Sequence, residues 1–250
     1  MAGRRLSSVI DARRPMRAGP RRNGQSVRVT RELIVVSAPD PTWAQRAGVL
    51  IATLHGALGA GALRIDHVGS TAIPAMDAKD VLDIQVSVTD LVDAQERFDA
   101  PLRDLGFARA PSGTRDHVPA GRRDDPALWT KRFWTRRGTG DDANLHVRVS
   151  GSPNERLALL FRDWMCAHPH AVIAYSAIKR SLAAALPDLD TYADVKDPIV
   201  DLVIVTAEEW ATETGWSTST PGASGRSERH EWRRWIRITG GISSVLGHAH

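Results

Sequence analysis

The run RIDHVGSTAIPAMDAKDVLDIQVSV, Arg64 to Val88, decides how the rest of the chain is read. The β-rich residues Ala62 to Val68 end at Gly69, and the hydroxyls of Ser70 and Thr71 follow, where a helical turn would present free N–H groups. Such a turn can hold a phosphate. Pro74 closes the loop behind it, and a second strand runs on to Val88. Because strand side chains alternate, Leu82, Ile84, Val86 and Val88 share one face while Val81, Asp83, Gln85 and Ser87 share the other. The first set builds core, and the second can point at a ligand.

Upstream, Leu33 to Val36 predicts a short strand, and Pro39, Asp40 and Pro41 start a helix. Trp43, Ala47, Leu50, Ile51, Leu54 and Leu58 repeat along it at helical spacing until Gly59 and Gly61. Downstream, Asp90 caps a helix through Leu91, Ala94, Phe98, Leu102 and Leu105, which stops at Gly106. Gly106 to Pro126 reads as a strand near Phe107 followed by a mobile loop. Leu128 to Arg136 and Asn144 to Val149 predict a hairpin with its tip at Gly138 to Asp142. Ser152, Pro153 and Glu155 spell a capping box ahead of the stripe Leu157, Leu160, Phe161 and Trp164. Two more helices are expected, His170 to Leu186 and Asp197 to Thr214. The class is α/β (α+β), a mixed sheet with flanking helices and a C-terminal helical region.

A chain of 250 residues with 42% hydrophobic content is long enough for one good core plus tails. The charge is uneven. Residues 1–30 hold eight Arg and one Asp (+7), and residues 217–250 hold five Arg and two Glu (+3), so a total of +4 leaves residues 31–216 at −6. We expect a disordered leader over 1–30, a folded domain over 31–216 and a disordered tail over 217–250. A body of that sign is a poor duplex binder, which argues against nucleic acid as the partner. No apolar run approaches membrane-spanning length and the N-terminus has no apolar h-region, so the expected location is the cytoplasm, with no membrane partner. The single cysteine, Cys166, excludes an intramolecular disulfide within the chain and an all-cysteine zinc site.

A Gly-Ser turn after one strand, with an acidic residue on the next, outlines the nucleotidyltransferase superfamily. More narrowly, "RIDHVGSTAIP", "AKDVLDIQV", "NLHVRV" and "YADVKDP", spread over residues 31 to 216, resemble the GrpB family of predicted nucleotidyltransferase-fold proteins. Similar domains occur fused behind bacterial dephospho-CoA kinases, although the phosphate-binding loop that a kinase needs, G-x-x-x-x-G-K-[ST], is not in this sequence. The resemblance implies Mg²⁺-dependent transfer of a nucleoside monophosphate to a small acceptor, with Mg²⁺ held by strand carboxylates. Its alternative is a non-catalytic accessory module that binds a phosphorylated metabolite or a protein partner, possible links being to coenzyme A biosynthesis.

The superfamily pattern sets two carboxylates two residues apart on one strand. Here Asp83 fills the first position, as metal ligand and catalytic residue, but Gln85 fills the second. Asp66, Asp77 or Asp80 can lend the missing acid, or His146 can serve as a neutral ligand in the row Asn144, His146 and Arg148; otherwise the pocket only binds. His67, Gly69, Ser70 and Thr71 are the expected phosphate-binding turn, against the plainer reading of a self-satisfied tight turn. Lys131 or Arg132 meets the phosphate from the hairpin strand, or is merely ion-paired. The resemblance adds Arg148, Lys179 and Lys196 as ligand-facing cations, the two lysines repeating a Tyr-x-x-x-Lys spacing with Tyr175 and Tyr192 that is also common in plain packing. His117, beside Asp116, reads as an exposed loop histidine.

Overall fold

A computed structural model describes residues 34–138 and 141–218. The leader expected over 1–30 lies outside the described residues, as do Leu33 and all of the expected tail beyond Thr218. Five strands form one mixed sheet: β1 Arg64–Val68, β2 Leu82–Val88, β3 Ala108–Arg109, β4 Arg132–Arg136 and β5 Ala143–Val149. Their order is β1-β2-β5-β4-β3, with β2 and β5 parallel and every other pair antiparallel. Five helices surround it: α1 Trp43–Leu58, α2 Leu91–Asp104, α3 Pro153–Ala167, α4 Pro169–Ala185 and α5 Leu189–Thr214. The α/β class read from the sequence is the class observed.

One face of the sheet is dry. Ile65, Ile84, Val86, Leu145 and Val147 pack there against Leu50 and Leu54 of α1 and against Ala94, Phe98 and Leu102 of α2. Each fully buried aliphatic side chain contributes about 1.5–3 kcal/mol from apolar surface removed from water. Asp90 caps α2 as expected, its Oδ1 accepting the amides of Val92 and Asp93 at 2.8 and 2.9 Å. The opposite face, bearing Asp83, Gln85, Ser87, His146 and Arg148, lies beneath the C-terminal helices. Leu157 and Leu160 of α3 close on Ile204, Ala207 and Ala211 of α5, while Met165 of α3 and Val172 and Tyr175 of α4 close on Ile73 and Met76. That second group fastens the loop after the Gly-Ser turn.

Four expectations need correction. Ser37 makes only a single bridge, to Ala78, where a strand was expected over Leu33 to Val36. The hairpin strand starts at Arg132, because Asp125 caps a 3-10 turn over Pro126–Trp129 by accepting the Ala127 amide, and that turn buries Trp129. The capping box is not formed. Ser152 Oγ donates to Val149 O and Asn154 Oδ1, it is Asn154 Oδ1 that accepts the Glu155 amide, and the Glu155 carboxylate accepts Gly151 N and Ser87 Oγ. Lastly, α5 begins at Leu189 rather than Asp197, capped by Asp188 through the Thr191 amide, and it runs through Pro198. The missing N–H of Pro198 costs a hydrogen bond inside the helix, but packing of Ile204, Ala207 and Ala211 further along holds the helix in place.

Candidate functional site

The Gly69–Ser70 turn and Asp83 meet at the end of β1 and the start of β2, where Val68 pairs with Asp83. Gly69 takes φ 69° and ψ −168°, a region almost reserved for glycine, and a Cβ there would stand 2.4 Å from Asp83 Oδ2. Only a residue without a side chain lets the turn lie on the carboxylate. The 3-10 turn Ser70–Ala72 follows. His67 pairs with Ile84, so strand alternation carries it to the apolar side, where its Nε2 lies 2.9 Å from the hydroxyl of buried Thr71. Those two expected phosphate ligands satisfy each other, and burial pulls the His67 pKa down to about 4.

Asp83 Oδ1 accepts from Asn144 Nδ2 at 2.8 Å and faces His146 Nε2 at 3.5 Å. Its side chain keeps 29% exposure. Burial pushes its pKa up, yet the hydrogen bonds of His146 and Asn144 and the charge of Lys196 outweigh that and hold it at about 2. His146 is the reverse case. Burial, with the charge of Lys131 beside it, takes its pKa down to about 4 against the opposing pull of Asp83, so the ring is neutral at pH 7. Lys131 Nζ lies 3.3 Å from Nδ1, which makes Nδ1 the acceptor and leaves the proton on Nε2, aimed at Asp83.

Deeper on the same face is a closed knot. Asp116, from the loop after β3, receives Lys131 Nζ at 2.5 Å, Arg148 Nε at 2.8 Å and Asn154 Nδ2 at 3.0 Å. Burial works against the Asp116 charge, but Arg148 and Lys131 drive its pKa far below the carboxylate range. Arg148 also donates to Gln85 Oε1 at 2.5 Å, and Gln85 Nε2 donates to Glu155 O at 3.3 Å. Lys131 and Arg148 are therefore committed to an internal acid. Sequence reasoning missed Asp116, since nothing in a turn-rich loop marks which residue folds inward.

Three further lysines, Lys79, Lys179 and Lys196, are coupled to Asp83 through their charges. Lys179, on α4 and 3% exposed, donates to Ser70 Oγ at 2.9 Å and to the carbonyl of Asp77. Burial, with the charges of Lys196 and Lys79, lowers its pKa to about 7, Asp83 opposing. Lys79, before β2, lies over the Tyr192 ring at 5.7 Å and is also lowered by burial, with Lys196 and Arg137 adding to the effect. Among the described residues none of the three has a carboxylate within salt-bridge distance. The sequence carried a signal for this place that motif reading passed over. Lys79, Lys131, Lys179 and Lys196 are the only lysines in a chain of 33 Lys and Arg, and each is electrostatically tied to Asp83.

A pair of Mg²⁺ ions does not fit these residues. Gln85 brings no charge, and its oxygen already accepts a guanidinium. The acids that could replace it are engaged elsewhere: Asp66 with Arg64 and Arg162, Asp77 with Arg180, and Asp80 with Trp43 and Arg46. Among the described residues no three His, Cys, Asp or Glu side chains converge as a metal cage would need. What stands beside the second strand position is the Arg148 cation. His117 is exposed, as expected, and its Nε2 lies 3.0 Å from Asp201.

Several known proteins share this chain's pattern. Residues 33–205 match the GrpB protein family. A dephospho-CoA kinase of Mycolicibacterium paratuberculosis is 39% identical over 201 residues, which is 75% of this chain and 49% of that protein. The UPF0157 protein BH1888 of Halalkalibacterium halodurans is 30% identical over 166 residues, 66% of this chain and 77% of its own. The chain thus spans about half the length of the kinase relatives and most of the smaller one. The crystal structure of the conserved protein GrpB from Enterococcus faecalis superposes with a TM-score of 0.56 at 22% identity, over 70% of this chain and 99% of that one, a likeness of fold. No helix among the described residues is long and apolar enough to cross a membrane. By the extent of the family match, this chain belongs to the GrpB family.

Proposed function

We propose that the recess over Asp83 binds a phosphorylated small molecule, a nucleotide or a similar metabolite, through cations supplied by the protein. The observation that carries the reading is that the charges of all four lysines act on one aspartate, three of them with no carboxylate in salt-bridge distance among the described residues, and that Lys179 lies buried against the Gly-Ser turn. Like charges held close together repel, the more so where one of them, Lys179, is buried, so the unliganded arrangement costs free energy that an anion would return. Ser70, held by Lys179, and the turn at Gly69 border the same space. The protein acts in this reading as a cytoplasmic binding module, and relatives named dephospho-CoA kinase make coenzyme A precursors suitable first probes.

A second reading is Mg²⁺-dependent transfer of a nucleoside monophosphate to a small acceptor. It is favoured by the ionised Asp83 lying directly under the Gly69–Ser70 turn. Mg²⁺ would then arrive with the triphosphate, and Asp83 would hold it; bound there, the ion would neutralise charge on the leaving pyrophosphate. Lys131 and neutral His146 would support Asp83, and Lys179 and Lys196 would bind the phosphates.

Calorimetry with ATP and dephospho-CoA, with Mg²⁺ and with chelator, separates the two. Binding through protein cations survives chelation, and Asp83→Asn, which removes a negative charge next to the anion, keeps or tightens it. Binding lost on chelation and in Asp83→Asn, together with pyrophosphate release, would replace the first reading by the second.

A further inference from the structure

Lysine is scarce in this chain, four residues against 29 arginines, yet the most enclosed cation next to the Gly-Ser turn is a lysine. An arginine could hold a phosphate in two places at once but cannot give up its charge. Lys179 is the buried member of the trio, and the oxygens it contacts, Ser70 Oγ and the Asp77 carbonyl, are both neutral. The charged and titratable groups around it come from every neighbouring element. Lys79 and Asp77 stand on the loop before β2, the Asp77 carboxylate being taken by Arg180. Asp83 is on β2, Lys196 on α5, and Tyr175 on its own helix with its ring 5.2 Å away. Tyr192 and Asp197 of α5 act on Tyr175. Counting Lys79, Lys179 and Lys196 against Asp83, the open side of the recess holds +2 with Lys179 protonated and +1 without, before any surplus from the Asp116 knot.

Resting on the binding reading above, we infer that the ligand's phosphate is a terminal monoester taken as its dianion, and that Lys179 gains a proton as it enters. Burial, with the like charges of Lys196 and Lys79 and no acid of its own among the described residues, is what strips Lys179 of its proton in the empty recess, with a pKa of about 7. Two negative charges placed against Ser70 reverse that balance. A phosphodiester carries one charge, which the recess already balances with Lys179 unprotonated, so it draws in no proton.

The test is titration calorimetry at pH 8 in two buffers of different ionisation enthalpy, with AMP, inorganic phosphate and 3′,5′-cyclic AMP as probes. At this pH AMP is already a dianion, since a phosphomonoester has its second pKa near about 6. Expected are uptake of roughly one proton per AMP and binding of cyclic AMP at least about tenfold weaker, the loss of about one charge pair. Lys179→Arg should bind AMP with no uptake. The wild type also carries its own check: with four lysines, ¹⁵N-lysine labelling gives few Nζ signals, and one should titrate near pH 7 alone and above pH 8 with AMP. AMP binding without proton uptake, unchanged uptake in Lys179→Arg, or equal binding of cyclic AMP would overturn this inference and leave the binding reading standing. No binding of AMP or phosphate would overturn both.

Discussion

The two faces of the sheet are both covered by helices and are chemically opposite. Ile84 and Val86 on one side, and Gln85 on the other, are all fully enclosed, with Ser87 and Arg148 nearly so. Under α1 and α2 the two central strands, β2 and β5, present only hydrocarbon, which any close packing satisfies. Under α3 to α5 they present amides, a carboxylate and a guanidinium, each of which loses several kcal/mol on leaving water unless a partner is fitted to it. The fitted partners run in a chain from Glu155 through Gln85, Arg148, Asp116 and Lys131 to His146 and Asp83. Beyond Asp83 the pairing stops, with three lysines left over. A polar face that is matched up to one point and unmatched after it locates the place for a ligand more sharply than any single motif.

If the polar side depends on its pairing, breaking its central acid should cost more than opening a hole in the dry side. Asp116→Ala leaves Lys131 and Arg148 buried without their carboxylate and is expected to lose about 3–5 kcal/mol in chemical denaturation. Leu145→Ala, on the apolar face of β5, is expected to lose about 2–5 kcal/mol while leaving phosphate binding unchanged. A loss in Asp116→Ala below about 1 kcal/mol would mean that the polar face is held by the helices above it rather than by its ion pairs.

The dry face was legible because its signal is periodic. Leu50, Leu54 and Leu58 recur at helical spacing and Leu82, Ile84 and Val86 at strand spacing, so each element could be drawn before its partners were known. Asp83 and the Gly69–Ser70 turn were legible as a motif because they are joined by a short loop. The Asp116 knot was not, since Asp116 reaches Lys131 and Arg148 across 15 and 32 residues and Lys179 reaches Ser70 across 109. The misplaced start of α5 has a similar cause. Pro198 reads locally as a first-turn proline, and only the side-chain cap at Asp188 and packing against α3 show that the helix is already under way.

Gly69 joins the two regimes, being a backbone requirement imposed by a charged neighbour. Gly69→Ala would place a methyl carbon against Asp83 and force φ of +69° on an L-residue, a strain of about 1–3 kcal/mol before any shift of the carboxylate. Thermal unfolding should register that loss, and binding of the phosphate probes should fall with it. A variant with unchanged binding would show that the turn and the carboxylate do not need to touch.

The smallest effect at any one step of the measurement is a pH slope, and its sign is the informative part. In the unfolded chain Lys179 keeps its proton to the ordinary lysine value of 10.5, whereas in the folded protein it loses it near 7. Between those values the unfolded state binds more protons, so folding stability gains from rising pH, by at most about 1.4 kcal/mol per pH unit. Below pH 7 both states carry the charge and the burial penalty is present in full. Lys179→Met cannot titrate, so wild type should gain stability relative to this variant as the pH is raised from 7 toward 10, in denaturant titrations without ligand. A saturating dianionic ligand that keeps Lys179 charged should flatten the slope. A parallel pair of curves without ligand would mean that Lys179 stays protonated in the empty recess, and that the unmatched charge is shared among the other lysines instead.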